Sequence, residues 1–201
     1  MKLDRAGWPF IAGLAAATIA LLIWAPIWTA IPAALLLFTL NFFRDPERNT
    51  PDEPGAVISP ADGRILRADS KRVSIFMNVF NVHVCRSPVA GRVTLVSHEP
   101  GRFLAAMKDE ASEQNERTTI VVLSPGGVEL RFVLVAGLVA RRIVCRVAAG
   151  TPLSAGDRVG IIRFGSRVDV DLPAGAEAAG AVGDRVVAGE TVVARLGQRR
   201  A

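Results

Sequence analysis

The sequence predicts a mostly β fold preceded by an N-terminal apolar helical hairpin. Three observations carry this. From Gly7 to Phe43 there is no charged residue. After residue 55 the chain turns into short apolar runs punctuated by Gly, Pro and Asp, the texture of strands and turns. Only one later stretch, "RFLAAMKDEASEQNER" at 102–117, has the composition of a soluble helix, and a short one.

The apolar run comes first. It far exceeds the ~18 residues that mark a transmembrane candidate, and Pro26 and Pro32 interrupt it. A hairpin with arms 8–24 and 27–43 fits better than one long kinked span, because the central prolines break the helix where a turn is needed. A cleaved signal peptide fits less well: the run is too long, and no small-x-small site precedes the charged section. Lys2 and Arg5 precede the run, and Arg44 and Arg48 follow it. Basic flanks on both sides place both ends in the cytoplasm, and Trp8, Trp24 and Trp28 suit the interface. The organisation expected is a membrane-associated hairpin over 1–43, a polar proline-rich linker over 44–55, and a β domain over 56–201.

Within the β domain, "AVISPADGRILRA" reads as strand, Asp62-Gly63 turn and strand. "RVSIFMNVFNVHVCRS", "GRVTLVSHEPG", "TTIVVLS", "VELRFVLVAGLVARRIVCRV" and "RVGIIRF" continue the pattern. In "SRVDVDLP" Val168, Val170 and Leu172 alternate with Arg167, Asp169 and Asp171, the period of a half-buried strand. A Gly-Ser pair, Gly165 and Ser166, interrupts the strand-like text just before it, where glycine marks a bulge or a close approach. "GDRV" occurs at 156–159 and 183–186, and "VAG" at 89–91, 135–137 and 187–189. These echoes read first as similar hairpin turns. They also suit a two-halved β-sandwich with lipoyl- or biotinyl-like hairpins.

The chain has 201 residues, a formal charge of +5 and a pI near 10.2. A basic balance suits an anionic membrane, an acidic substrate or nucleic acid. Nucleic acid is disfavoured, because the arginines are scattered and the aromatic residues lie mainly in the apolar section. Cys85 and Cys145 give no disulfide framework, and a reducing compartment is the default. His83, Cys85, His98 and Cys145 lack metal-ligand spacing, so no metal site is expected; His98 in "VSHEPG" reads as an exposed turn residue.

Singly, His83 reads as structural, Asp62 as a turn residue and Ser166 as a bulge residue. Together they supply a base, an acid and a hydroxyl from three distant segments, the composition of a nucleophilic triad. A membrane-anchored serine hydrolase would use the same three. It lacks the G-x-S-x-G elbow, and Ser166 is not at a strand-to-helix turn. A lipoyl- or biotinyl-type carrier would need a lysine in a suitable hairpin pattern, and Lys2, Lys71 and Lys108 do not supply one. A purely structural membrane protein is the remaining alternative.

"SPADG" at 59–63, "FMNVFNVHVCRSPVAG" at 76–91, "NER" at 115–117 and "IRFGSRVDVDLP" at 162–173 resemble, in order and spacing, the short, archaeal-type form of phosphatidylserine decarboxylase. Longer members carry Leu-Gly-Ser-Thr where this chain has Phe-Gly-Ser. The resemblance implies that Ser166 attacks the carbonyl carbon of Gly165 and turns the amide into an ester. Elimination then frees a β chain, 1–165. The dehydroalanine left on the α chain, 166–201, hydrolyses with loss of ammonia to a pyruvoyl group, so no external cofactor is needed. His83 would be the base and Asp62 its orienting partner. The keto carbon would form a Schiff base with the serine amine of phosphatidylserine, carbon dioxide would leave, and phosphatidylethanolamine would be released. The partners implied are phosphatidylserine in the membrane and the paired β and α chains, with a homo-oligomer left open. The location implied is the cell membrane, with the catalytic domain on its cytoplasmic face. Longer members have Tyr-His-Arg-Val-His where this chain has "VFNVH", so His83 stands alone and the proton donor in decarboxylation is the least defined role.

Overall fold

Pro26 sets the break in the apolar run. Ala25 leaves helical geometry (φ −153°), and Pro26 opens a 3-10 turn, Pro26–Trp28. Helices α1 (Trp8–Trp24) and α2 (Ala30–Phe42) flank this turn and pack on one another. Pro32 lies in the first turn of α2, where a missing N–H costs nothing. The two-residue strands β1 (Lys2–Leu3) and β2 (Arg44–Asp45) pair antiparallel and tie the ends of the hairpin together. Trp24, Ile27 and Leu37 are 84, 86 and 69% exposed, an outer surface that is apolar rather than polar. The Arg5–Trp24 helical stretch is long and apolar enough to cross a membrane, and Pro26–Phe42 is shorter.

This computed structural model describes residues 2–107, 110–137, 142–163 and 166–197, in two units, Met1–Glu47 and Arg48–Ala201. The second unit is built of β3 (Ala56–Ile58), β4 (Gly63–Ala68), β5 (Arg72–Met77), β6 (Val84–Arg86), β7 (Gly91–Glu99), the one-turn α3 (Ala111–Gln114), β8 (Arg117–Leu123), β9 (Glu129–Ala136), β10 (Ile143–Cys145), β11 (Pro152–Leu153), β12 (Arg158–Ile162), β13 (Ser166–Asp171), β14 (Glu177–Ala178), β15 (Arg185–Val186) and β16 (Val192–Arg195). Eight strands form one sheet in the order β11-β7-β8-β9-β13-β5-β4-β15. Two three-stranded sheets accompany it, β10-β12-β6 and β14-β16-β3. The fold is mostly β, as the sequence predicts. The short helix falls inside 102–117, and His98 proves to lie in β7 opposite Thr118 rather than in a turn, because the β7–β8 ladder runs on to Glu99.

The core follows from period-two alternation. Val73, Ile75 and Met77 of β5, Val168 and Val170 of β13, and Leu130, Phe132, Leu134 and Ala136 of β9 are buried in one cluster. The opposite face of the same strands is buried too. Ser74, Val133, Val135, Arg167 and Asp169 are all under 5% exposed. Ser112 of α3 reaches this face and donates to Asp169 Oδ2 at 2.6 Å.

The second unit contains an internal repeat. Ser-Pro-x-x-Gly-Arg occurs at 59–64 and again at 87–92. Ser59 Oγ donates to the Ala61 carbonyl and Ser87 Oγ to the Val89 carbonyl, each at 2.7 Å. The copies clasp each other reciprocally: Ile58 N–H donates to Pro88 O (2.8 Å) and Arg86 N–H to Pro60 O (2.9 Å). In each, the glycine is required by a close approach. A Cβ on Gly63 would lie 2.0 Å from Phe76 O, and one on Gly91 2.2 Å from Leu123 O. Gly91→Ala is therefore expected to destabilise the fold by about 3 kcal/mol, since backbone must move, and a thermal melt of the variant checks it.

Candidate active site

The stretch that carries Ser166 is two strands in two sheets. β12 ends at Ile162 in the three-stranded sheet, and β13 begins at Ser166 in the eight-stranded one. A second crossing accompanies it. β5 ends at Met77 in the large sheet, and β6 begins at Val84 in the small one, just after His83. The crossings are stitched together at both ends. Ile162 N–H donates to His83 O at 3.4 Å, and Ser166 lies in register with Met77 on one side and Ala136 on the other. The two crossings, one leading to His83 and the other to Ser166, thus run between the same pair of sheets. Phe164 and Gly165, and with them the bond expected to break, lie outside the described residues.

Ser166 is fully buried. Its Oγ makes no hydrogen bond among the described residues. A buried hydroxyl without a partner costs free energy and calls for a functional reason. His83 is also fully buried, and its Nδ1 lies 2.9 Å from the Asn81 carbonyl. A carbonyl only accepts, so Nδ1 carries the proton and Nε2 is the basic nitrogen. The partner that fixes the ring through Nδ1 is therefore a backbone carbonyl two residues away.

Asp62 follows the first Ser-Pro turn. Its Oδ1 and Oδ2 each lie 3.0 Å from Nη2 of Arg48, and Oδ1 also accepts from Ala188 N–H at 2.8 Å. Burial, with the charge of Asp62 added, pushes the Cys85 thiol up, so Cys85 stays protonated and is no nucleophile. Cys85 and Cys145 are free thiols and stand in one row with Gly160 between them. Among the described residues no three or more His, Cys, Asp or Glu gather as metal ligands.

Two further residues, Asn115 and Arg167, gain partners in the structure. Asn115 of "NER" is 1% exposed, and its side chain bonds Leu104 N–H, Leu104 O and Ala136 O, the last opposite Ser166. Arg167 is buried and bonded to Asp169 (2.6 Å) and Ser74 (2.9 Å), so it is not a surface arginine beside the Gly-Ser pair. Lys71 is exposed in the β4–β5 turn, where its N–H donates to Asp69 Oδ1.

A sequence model of the phosphatidylserine decarboxylase family matches residues 35–194. The chain belongs to the phosphatidylserine decarboxylase family. The phosphatidylserine decarboxylase proenzyme of Burkholderia ambifaria is 50% identical over 212 aligned positions that cover 96% of each chain. Those of Burkholderia multivorans and Burkholderia vietnamiensis are 49% and 48% identical with the same coverage. As a phosphatidylserine decarboxylase family member, the chain is an enzyme. Membership ranks the hydrolase, carrier and structural readings below a decarboxylase.

Proposed function

We propose that this enzyme converts phosphatidylserine to phosphatidylethanolamine and carbon dioxide with a pyruvoyl group made from its own Ser166, after cleavage of the Gly165-Ser166 bond. The observation that carries the reading is the buried Ser166 hydroxyl at the head of β13, which makes no hydrogen bond among the described residues, four residues after Ile162, whose N–H donates to His83 O. The site fits the group: position 166 is closed off from water between Met77 and Ala136, which suits a small carbonyl-bearing residue. In the precursor, Nε2 of His83 accepts the Ser166 proton as Oγ attacks the Gly165 carbonyl, and Asp62 supports the ring as it becomes cationic. The pyruvoyl group supplies an electron sink during loss of carbon dioxide. His83 then hands a proton to the substrate carbon; the chain's other histidine, His98, is held on β7 by Thr118 at 3.0 Å.

The apolar hairpin gives the enzyme access to a lipid substrate by holding it at the bilayer, with the catalytic unit on the cytoplasmic side. Basic residues near such a surface gain about 1 kcal/mol each from anionic lipid. Arg48, by sequence one of the flanking cations, is instead engaged with Asp62.

Denaturing intact-mass measurement of the purified protein tests the reading. Two species are expected, one ending at Gly165 and one beginning at a ketone at position 166. A single full-length mass that persists on long incubation of folded protein would move the assignment to the hydrolase.

A further inference from the structure

The repeat contains its own control. At the position of Asp62 the second copy of the turn carries Ala90. Both copies fold alike, with the same serine bond, the same reciprocal clasp and the same close glycine. The turn therefore needs no carboxylate to form. Ala90 is exposed and, with Val89 and Ala155, lines an open cleft of about 870 Å³.

Residues 48–50 form a strap that touches both halves. A Cβ on Gly189 would lie 3.3 Å from Arg48 Cβ, and one on Gly156 2.1 Å from Thr50 Oγ1. These glycines are equivalent, since Gly189 N–H donates to Ser59 O (2.9 Å) and Gly156 N–H to Ser87 O (2.8 Å). Only the Arg48 end of the strap carries a charge toward the turn it covers. Arg48 and Asp62 have side chains 11% and 13% exposed. A pair so nearly buried is poor value as a stabiliser, because desolvation offsets attraction. Its evident use is geometric: Arg48 and the Ala188 N–H fix the Asp62 carboxylate from two sides.

From this asymmetry we infer that Arg48 is a positioning residue for self-cleavage, acting through Asp62. The inference rests on the reading of Asp62 as the support of His83. Arg48 touches neither the bond that breaks nor the substrate. It sets where the carboxylate stands, and small displacements at such sites slow reactions by about 10- to 100-fold.

The test is the rate at which newly translated full-length chain converts to two species, followed by intact mass. Arg48→Met keeps the stem over Gly189 and removes the fork; it is expected to slow conversion at least about tenfold and to lower the melting temperature, since Asp62 loses its ionic partner, so conversion is followed well below the melting range of the variant. Arg48→Lys should recover part of the rate, because an ammonium keeps the charge but not the planar geometry. Asp62→Asn should be slow, and adding Arg48→Met to it should slow it no further, as for two residues in one chain of action. Thr50→Val, at the other end of the strap, should convert at the wild-type rate. Wild-type conversion by Arg48→Met, multiplying effects with Asp62→Asn, or an equal slowing by Thr50→Val would each overturn the inference. If Arg48→Met does not fold, the Lys variant alone decides: a wild-type rate there, with Asp62→Asn slow, overturns it. Failure of the underlying reading looks different, since then wild type itself does not convert or Asp62→Asn converts normally.

Discussion

Ser166→Ala is expected to leave the chain whole and without decarboxylase activity. The substitution removes one atom, the Oγ that makes no hydrogen bond among the described residues. It removes no packing between Met77 and Ala136, the register partners on either side. A buried hydroxyl without a partner is a small liability, so the variant should be as stable as wild type or slightly more so. Chemistry alone is lost, and it is lost completely, because alanine can neither attack Gly165 nor become a keto group. Intact mass should show one full-length species, and vesicles containing phosphatidylserine should release no carbon dioxide. Cleavage of this variant at the same bond would mean that Ser166 is not the nucleophile.

Breaking the buried pair beneath α3 should have the largest effect on stability. Arg167 and Asp169 side chains are 2% and 1% exposed and meet at 2.6 Å. Removing one member leaves the other's charge in a dry interior, which costs about 3–5 kcal/mol. A domain of this size has a total stability of only about 5–15 kcal/mol. Arg167→Ala or Asp169→Ala should therefore bring the protein near its unfolding threshold at ordinary temperature. Arg167→Met with Asp169→Leu removes both charges and should be close to neutral. Urea unfolding in the Ser166→Ala background, where the chain stays in one piece, measures each. A loss no larger for the single variants than for the double would mean that the pair's charges are already compensated by the neighbours, Arg72 at 3.9 Å among them.

These features were unequally legible in the sequence. The hairpin could be read because a proline in an unbroken apolar run has one strong meaning, and Pro26 sits at the turn. The alternation over 166–172 announced one buried face correctly. It could not announce that Arg167 and Asp169 are buried as well, since Ser112, which bonds Asp169, comes from a segment with no clear periodicity of its own. Composition and motif brought Asp62, His83 and Ser166 together as candidates, while the partners that hold two of them were not visible. Asn81 contributes a backbone carbonyl, which every residue has, and Arg48 sits in polar text that reads as linker and membrane flank. The Ser-Pro-x-x-Gly-Arg repeat was present in the letters all along. Of the shorter Val-Ala-Gly echoes, 89–91 lies inside its second copy and 135–137 ends strand β9 rather than forming a hairpin turn.

Strand β13 has neighbours on both sides, β9 and β5, and residues 185–186 and 192–195 pair with β4 and β3. Every one of those neighbours precedes residue 165. If the Gly165-Ser166 bond is cut as proposed, nothing covalent keeps the last segment in the middle of the sheet. Unfolding then becomes dissociation, and recovery becomes a meeting of two molecules whose success depends on their concentration. On that reading the precursor would find its fold as a single chain, and the finished enzyme would retain that fold only by not losing it. Its durability is thus a matter of escape rate rather than equilibrium, and a denatured preparation has no unimolecular way back.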